Sequence, residues 1–171
     1  MIGHYIRRFF TSLSTRPPTA ADEAWVETLV SPADLLLFRR LSNTDRRHLV
    51  RCARMVDADL GPGADSVWVQ AALLHDVGKF DAHLGVFGRV FVTVIATVVG
   101  PTRVTSWGAN SGWRGRVASY QRHGEIGAGE IRAAGGPEEA ALWSELHHHP
   151  DQFAASPIPP EIVAVLDAAD H

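Results

Sequence analysis

The sequence predicts an all-α protein that folds as one compact helical bundle. Its 171 residues suit a single core, and the 46% hydrophobic and 20% charged shares are ordinary for a globular domain. Outside residues 90–99 there is little β-branched alternation, and no Asn-Gly or Asp-Gly pair suggests a hairpin. No internal repeat or long linker divides the chain. We therefore expect one helical domain over 21–171, preceded by an N-terminal arm over 1–20.

Charge and hydropathy argue against large charged or lipid partners. A formal net charge of -3 gives no broad face for a nucleic-acid polymer. Arg7 and Arg8 interrupt the N-terminal apolar patch, which therefore lacks the core of a signal peptide. The longest apolar stretch, 90–99, is shorter than the roughly 20 residues that span a bilayer, so a buried element is favoured there over a membrane-surface segment. The single Cys52 is expected to be a buried hydrophobe in a reducing cytoplasm.

Start and stop signals define the first helices. "SPADLLLFRRL" has Ser31 as N-cap and Pro32 at the first helical position. "NTDRRHLVRCARMVDADLG" repeats apolar residues every three or four positions and ends at Gly61. "ADSVWVQAALLHDVGKF" is apolar almost all round from Val67 to Leu74, as expected of a central helix.

The second half of the chain is predicted to continue in the same way. Residues 83–99 form another apolar element, closed by Gly100-Pro101, and residues 100–116 form the longest irregular stretch. Further helices are predicted over about 113–134, 137–147 and 160–170.

Six of the nine histidines fall in these helices or at their borders. His48 adjoins an apolar stripe and taken alone is typical of a core histidine. His75 and Asp76 end the central helix about 100° apart, so both can reach one point. A buried carboxylate there must be paired or bind a metal; a histidine facing the helix dipole beside an exposed Asp is the alternative.

Other polar residues repeat this pattern later in the chain. Asp167 follows five apolar residues in "IVAVLDAADH", at a position expected to face the core, whereas Asp170 is expected to be solvated. His123 lies at a helix start or bend. The triplet 147–149 precedes Pro150, and such a triplet alone is often a polar helix end.

Together these residues form two sets of donors for divalent ions. The first set is His48, His75, Asp76 and Asp167, and the second is His123, His147 and His148, which share Asp76.

The order His48, then His75-Asp76, then Asp167 resembles the HD-domain superfamily of metal-dependent phosphohydrolases. "AALLHDVGK" is similar to the signature helix end of that family, which implies an HD-type bundle with its motif core over 48–167. His123 in "HGEIGAGEI" and the pair in "ELHHHP" resemble the subgroup that holds two metals, including the HD-GYP cyclic-dinucleotide phosphodiesterases.

By this resemblance, the first donor set holds one metal and the second set, with Asp76 shared, holds the other; His149 could replace His147 or His148. "HHHPDQFAASPIPP" lacks the Gly-Tyr-Pro element and the acidic residue after the His pair, which disfavours cyclic di-GMP as substrate.

The resemblance implies hydrolysis of a phosphomonoester or phosphodiester in a nucleotide or other small phosphorylated molecule. Two divalent transition-metal ions, Fe, Mn, Ni or Zn, bridged by Asp76 and hydroxide, would supply the nucleophile. Three alternatives stay open. Nucleotidases of the superfamily use the four-ligand site alone, and a branch resembling myo-inositol oxygenase uses six ligands in a diiron oxygenase. A regulatory module would bind metal or nucleotide without turnover. The sequence does not predict the oligomeric state.

Lys79 is the only lysine beside fifteen arginines, and it lies one turn beyond His75. We expect a catalytic role for Asp76 and Lys79, with the ammonium contacting a phosphoryl oxygen; a solvated helix end is the alternative. In the irregular stretch, Arg103, Arg114 and Trp107 could hold a phosphate and stack on a base. Packing against their own core is the alternative for these residues.

Overall fold

The computed structural model describes residues 16–82 and 112–170, and within these ranges it contains helices and no strand. The predicted apolar element at 83–99 and most of the irregular stretch, including Arg103 and Trp107, lie outside the described residues. The α-helices are α1 (Ala20–Leu29), α2 (Pro32–Arg39), α3 (Asn43–Leu60), α4 (Ser66–Leu74), α5 (Trp113–Gln121), α6 (His123–Ala133), α7 (Glu138–Leu146) and α8 (Pro160–Asp170). Two 3₁₀ helices, Val77–Ala82 and Pro150–Ala155, follow α4 and α7.

Local chemistry sets the starts of α2 and α3. The Ser31 side chain accepts a hydrogen bond from the Asp34 amide, and Pro32 opens α2. The Ser42 side chain accepts a hydrogen bond from the Asp45 amide at the start of α3. This helix ends at Gly61, which has a φ of 74°. The Ser31 cap, the Pro32 start and the Gly61 stop are therefore confirmed, whereas the cap of α3 is Ser42, one residue before the predicted segment.

The central helix α4 packs against α3, α7 and α8, and every residue from Ala71 to Leu74 is buried. One continuous apolar core runs from Val26 in α1 to Ala169 in α8. Burial of this last turn explains why it contains no polar residue. Because α4 is central, the residues that follow its last turn emerge inside the protein.

The predicted helix over 113–134 is wrong in one respect, because it is two helices. Arg122, with φ of -104° and ψ of 13°, separates α5 from α6. The break leaves the Tyr120 carbonyl without a continuing helix, and it accepts a hydrogen bond from Nδ1 of His123, 2.5 Å away. The interruption thus places His123 at the first position of α6.

Gly78 allows the first 3₁₀ helix to pack directly on α6. A Cβ atom at Gly78 would collide with the His123 carbonyl oxygen and lie 2.6 Å from the Gly127 amide nitrogen. Only glycine permits this backbone contact. It holds the start of α6 against the end of α4.

Among the described residues, no helix is both long and apolar enough to cross a membrane.

Candidate metal centre

Three elements deliver buried imidazoles to one point. His75 is the C-cap of α4 and His147 is the C-cap of α7, while His123 opens α6. Their exposed fractions are 1%, 4% and 3% respectively. Asp76, also 1% exposed, follows His75 directly. Burial of this many polar side chains is unusual and requires partners for each of them.

The Asp76 carboxylate lies between two groups of imidazoles. Its Oδ1 atom is 3.1 Å from Nε2 of His123 and 3.6 Å from Nε2 of His147. Its Oδ2 atom is 3.6 Å from Nε2 of His75 and 3.8 Å from Nε2 of His48. One oxygen therefore faces each of the two donor sets that the sequence predicts.

Asp170, and not Asp167, is the second carboxylate at this point. Its Oδ1 atom lies 3.0 Å from Nε2 of His48 and 3.4 Å from Nε2 of His75. The side chain is only 16% exposed, so the prediction that Asp170 is solvated is wrong. The structure brings Asp170 to the position that the sequence analysis gives to Asp167.

The helical phase of α8 explains this correction. Val163, Leu166 and Ala169 are its buried residues, so Leu166 is at the centre of the inward face. Asp170, four residues after Leu166, lies about 40° from that centre, whereas Asp167 lies about 100° away. A run of apolar letters before an Asp does not reveal which residue is central.

Backbone carbonyls orient the three buried rings in the same way. Nδ1 of His75 lies 2.9 Å from the carbonyl oxygen of Ala72, and Nδ1 of His147 lies 2.8 Å from that of Ser144. Nδ1 of His123 has the matching contact with Tyr120 described above. A carbonyl only accepts, so each Nδ1 carries the proton, and Nε2 of the neutral ring presents a lone pair. Ligating histidines are commonly oriented by such bonds.

The lone pairs converge on a space in which two buried atoms of the cluster lack a partner among the described residues. Nε2 of His75 and Oδ1 of Asp76 are buried and have no hydrogen-bond partner within 16–82 and 112–170. Nε2 of His123 and Nε2 of His147 are 3.4 Å apart. Acceptors that face each other in a buried space are unfavourable unless a cation lies between them.

The spacing of these donors fits metal coordination. With metal-to-ligand distances of about 2.0–2.2 Å, two adjacent ligand atoms on one ion lie roughly 3 to 3.5 Å apart. Groups of three candidate ligands whose atoms lie within 4.8 Å of one another are His48, His75 and Asp76; His48, Cys52 and Asp170; His75, His147 and Asp170; and His123, His147 and His148. The buried His, Asp and Cys groups can therefore hold metal ions.

Charges in the cluster are strongly coupled. Burial favours the protonated carboxyl of Asp76, but Lys79 and His75 outweigh it and hold the Asp76 pKa well below its usual range. Burial would lower the pKa of His75, yet the Asp76 and Asp170 carboxylates raise it. In His48 and His147 burial dominates and lowers the pKa. His48 and His147 are therefore neutral at neutral pH, whereas the two carboxylates favour the charged form of His75.

Lys79 contacts the cluster directly. Its Nζ donates to Oδ2 of Asp76, and the side chain is 15% exposed, so Lys79 is not a solvated helix end. Burial favours the neutral amine, but the Asp76 carboxylate outweighs it and raises the pKa of Lys79. The ammonium thus compensates one carboxylate charge on the side of His48 and His75.

The outer histidines and the cysteine differ in exposure. The His148 ring lies 3.9 Å from the His147 ring and 4.9 Å from the His123 ring, centroid to centroid, yet His148 is exposed like His149. Cys52 is 1% exposed, as expected, and its Sγ lies 3.6 Å from Nδ1 of His48. Burial raises the pKa of the Cys52 thiol to about 12, so it is a neutral thiol at neutral pH.

Ser144 supports the cluster and is not predicted from the sequence. It is fully buried, and its hydroxyl donates to the His75 carbonyl oxygen, 2.7 Å away. A Cβ at Gly127 would lie 2.6 Å from the Ser144 hydroxyl oxygen, so α6 and α7 approach closely there. The only sequence signal was its spacing, three residues before His147.

Of the predicted substrate contacts, the described residues include Lys79 and Arg114. Lys79 belongs to the cluster, and Arg114 lies apart from it in sequence. It is exposed in the first turn of α5, where its guanidinium carbon is 5.6 Å from the centroid of the Trp113 ring. Its role in binding substrate stays a prediction.

Comparison with known proteins adds no assignment: no family model, curated protein or solved structure matches this chain.

Proposed function

We propose that this protein is a metal-dependent phosphohydrolase of the HD type that acts on a small phosphorylated molecule, with a nucleotide as the favoured substrate. The observation that carries the proposal is the Asp76 carboxylate, which has one oxygen toward His123 and His147 and the other toward His48 and His75. A carboxylate between two imidazole sets is suited to bridging two ions.

The donor set fits divalent transition metals. Imidazole nitrogens with a minority of carboxylate oxygens suit Fe, Mn, Ni or Zn, whereas Ca²⁺ prefers oxygen ligands throughout. His123 and His147 with His148 would hold one ion, and His48, His75 and Asp170 the other. When bound, such ions lower the pKa of water and neutralise charge that develops on phosphorus.

The protein residues have separate tasks in this scheme. Asp76 joins the two positions, and the Ala72, Tyr120 and Ser144 carbonyls keep the Nε2 lone pairs directed at it. Lys79 offers the one ammonium at the centre. In the structure this ammonium neutralises the negative charge of the Asp76 carboxylate. Once bound metal neutralises that charge instead, the ammonium can contact a phosphoryl oxygen.

Accessibility favours a small substrate over a polymer. His75, Asp76, His123 and His147 are each exposed by 4% or less, and the solvent-facing members are His48 and His148. A phosphoryl group on a small molecule can approach the cluster at these two edges.

The deciding experiment is anaerobic hydrolysis with Mn²⁺. We expect release of p-nitrophenol from bis(p-nitrophenyl) phosphate, or of phosphate from a panel of nucleotides, and loss of this turnover in Asp76→Asn. Asp57→Asn, an exposed position on α3, is the matched control and should retain full activity. Metal content by elemental analysis should be about two ions per chain and should fall in Asp76→Asn.

Other outcomes would assign a different function. Turnover that requires Fe and consumes O₂ would make the protein a diiron oxygenase. Metal binding without turnover on any phosphoester would favour a regulatory module. Absence of bound metal after reconstitution would contradict all of these metal-based functions.

The two aspartates of α8 offer a second matched pair. Because Asp170 contacts His48 and His75, Asp170→Asn should lower metal affinity by on the order of tenfold or more, while Asp167→Asn should change it little. Isothermal titration with Co²⁺ measures both variants. A larger loss for Asp167→Asn would contradict the placement of Asp170.

A further inference from the structure

The four imidazoles around Asp76 do not have the same hydrogen-bonding environment. His75, His123 and His147 each direct Nδ1 at a carbonyl oxygen. His48 instead directs Nδ1 at the Arg51 guanidinium, with 3.4 Å between Nδ1 and Nη2, and at the Cys52 thiol, with 3.6 Å between Nδ1 and Sγ. Its side chain is 23% exposed, whereas the other three are nearly fully buried.

These partners put the proton on opposite nitrogens. A guanidinium only donates, so Nδ1 of His48 accepts and is unprotonated in the neutral ring. A carboxylate only accepts, so Nε2 of His48 carries the proton and donates to Asp170, 3.0 Å away. Nε2 therefore carries the proton in neutral His48, whereas the carbonyl oxygens place a proton on Nδ1 of His123 and His147 and leave Nε2 as the acceptor of the neutral ring.

A second, independent difference concerns Asp76. Lys79 already occupies Oδ2, the oxygen that faces His48 and His75. Oδ1, which faces His123 and His147, has no hydrogen-bond partner in the described part of the chain. The His48 side of the cluster is thus partly satisfied by a proton and an ammonium, whereas the described residues give the His123 side no such donor.

We infer that the two metal positions are unequal, and that Arg51 is the residue that weakens the one formed by His48 and Asp170. This inference rests on the proposed metal centre. The position at His123, His147 and Asp76 binds first and retains its ion. The position at His48 and Asp170 fills only when the concentration of free metal is higher.

Arg51 acts through the tautomer of His48. An ion at Nε2 requires the ring proton to move to Nδ1, and this exchange can pass through solvent because His48 is partly exposed. The new Nδ1–H then faces the guanidinium, so two donors oppose each other and the hydrogen bond from Arg51 is lost. Each step makes binding of an ion at His48 and Asp170 less favourable. The rings of His123 and His147, which backbone carbonyls orient, are not affected.

Unequal positions would make the number of bound ions a function of metal supply. The protein would hold one ion under scarcity and two when metal is abundant, so a two-metal activity would respond to the free metal concentration. Arg51 is exposed and lies outside the donor set, so substitution there changes affinity without removing a ligand.

The test is titration of the metal-free full chain with Co²⁺, followed by calorimetry and visible absorption. We expect two binding classes. Arg51→Met keeps the length of the side chain and removes its donors, and it should tighten the weak class by on the order of tenfold while leaving the tight class unchanged. Arg54→Met is the control. Arg54 lies one helical turn after Arg51, but its guanidinium stacks on Trp25 and pairs with Asp22.

Two further variants assign the classes. His48→Ala should remove the weak class alone, and His123→Ala should remove the tight class. The inference is overturned if the wild type shows two equal classes, if Arg51→Met leaves the weak class unchanged or weaker, or if His48→Ala removes the tight class. Because Arg51 is a surface residue, its variant gives an answer even if a His variant fails to fold. Complete absence of Co²⁺ binding would instead contradict the metal centre itself.

Discussion

The ends of α4 and α7 share one local design and have opposite surroundings. Each helix ends in a histidine with αR backbone angles, φ and ψ of -56° and -30° at His75 and -57° and -19° at His147. Each Nδ1 bonds to the carbonyl oxygen three residues earlier, and each end leads into a 3₁₀ helix. The residues after His75 are buried, whereas those after His147 are exposed.

The difference arises from the 3₁₀ helices. Val77–Ala82 lies against α6 through Gly78, whereas Pro150–Ala155 has no buried residue. Ring orientation is therefore a local property of a helix end, and access to the ring depends on what packs on the next segment. The end of α4 is the closed side of the cluster, and the end of α7 is the side open to solvent.

Gly78→Ala should break the closed end and have the largest effect. The new Cβ would collide with backbone atoms of His123 and Gly127, which cannot move as a flexible side chain could. We expect a loss of about 3 kcal/mol or more in the free energy of unfolding, or failure to fold. Urea denaturation followed by circular dichroism measures it.

Gly129→Ala is the control for this variant. Gly129 is an exposed residue of α6, and a Cβ added there would have no atom of the described residues within 4 Å beyond its own helix backbone. Alanine there should stabilise the helix by roughly 0.5–1 kcal/mol. Similar stability for the two alanine variants would mean that the contact at Gly78 does not hold the closed end.

Ser144→Ala should weaken the link between the two ends. Its buried hydroxyl donates to the His75 carbonyl oxygen across the interface of α4 and α7. Loss of this donor should cost about 1–3 kcal/mol in the free energy of unfolding. Ser66→Ala, at the exposed start of α4, should stay within about 0.5 kcal/mol of the wild type. Equal losses in the two variants would count against the link.

His148→Ala and His149→Ala should sharpen the comparison at the open end, with the smallest effect. The His148 ring is near His123 and His147, so its loss should weaken Co²⁺ binding by up to about tenfold. His149 belongs to none of the groups of candidate ligands within the described residues, and its loss should leave affinity unchanged. A larger effect at His149 would reverse the choice of His148 as the ligand.

Local signals made much of the fold predictable. The cap at Ser31, the stop at Gly61 and the apolar character of α4 depend on neighbours in sequence, so the pattern contains them. The same holds for His75 and Asp76, because a polar pair that directly follows a buried apolar turn must emerge in the interior. Their function as metal ligands stays a prediction.

Tertiary contacts determined what was missed. Asp170 faces the cluster because Leu166 is at the centre of the buried face of α8, and this phase is set by packing on α3 and α4. The break at Arg122 fits α5 and α6 around the 3₁₀ helix that contains Gly78. Neither property can be read from residue types alone, because both depend on which surfaces meet.

The bond between His48 and Asp170 joins residues 122 positions apart. Closing a loop of this length costs entropy that local contacts do not, so we expect this bond to form after the local contacts of the helices. We therefore expect the cluster to be completed when α8 docks on α3. Metal capture at this position would be a slow kinetic phase that follows recovery of helical structure, and it would report on the docking of the last helix.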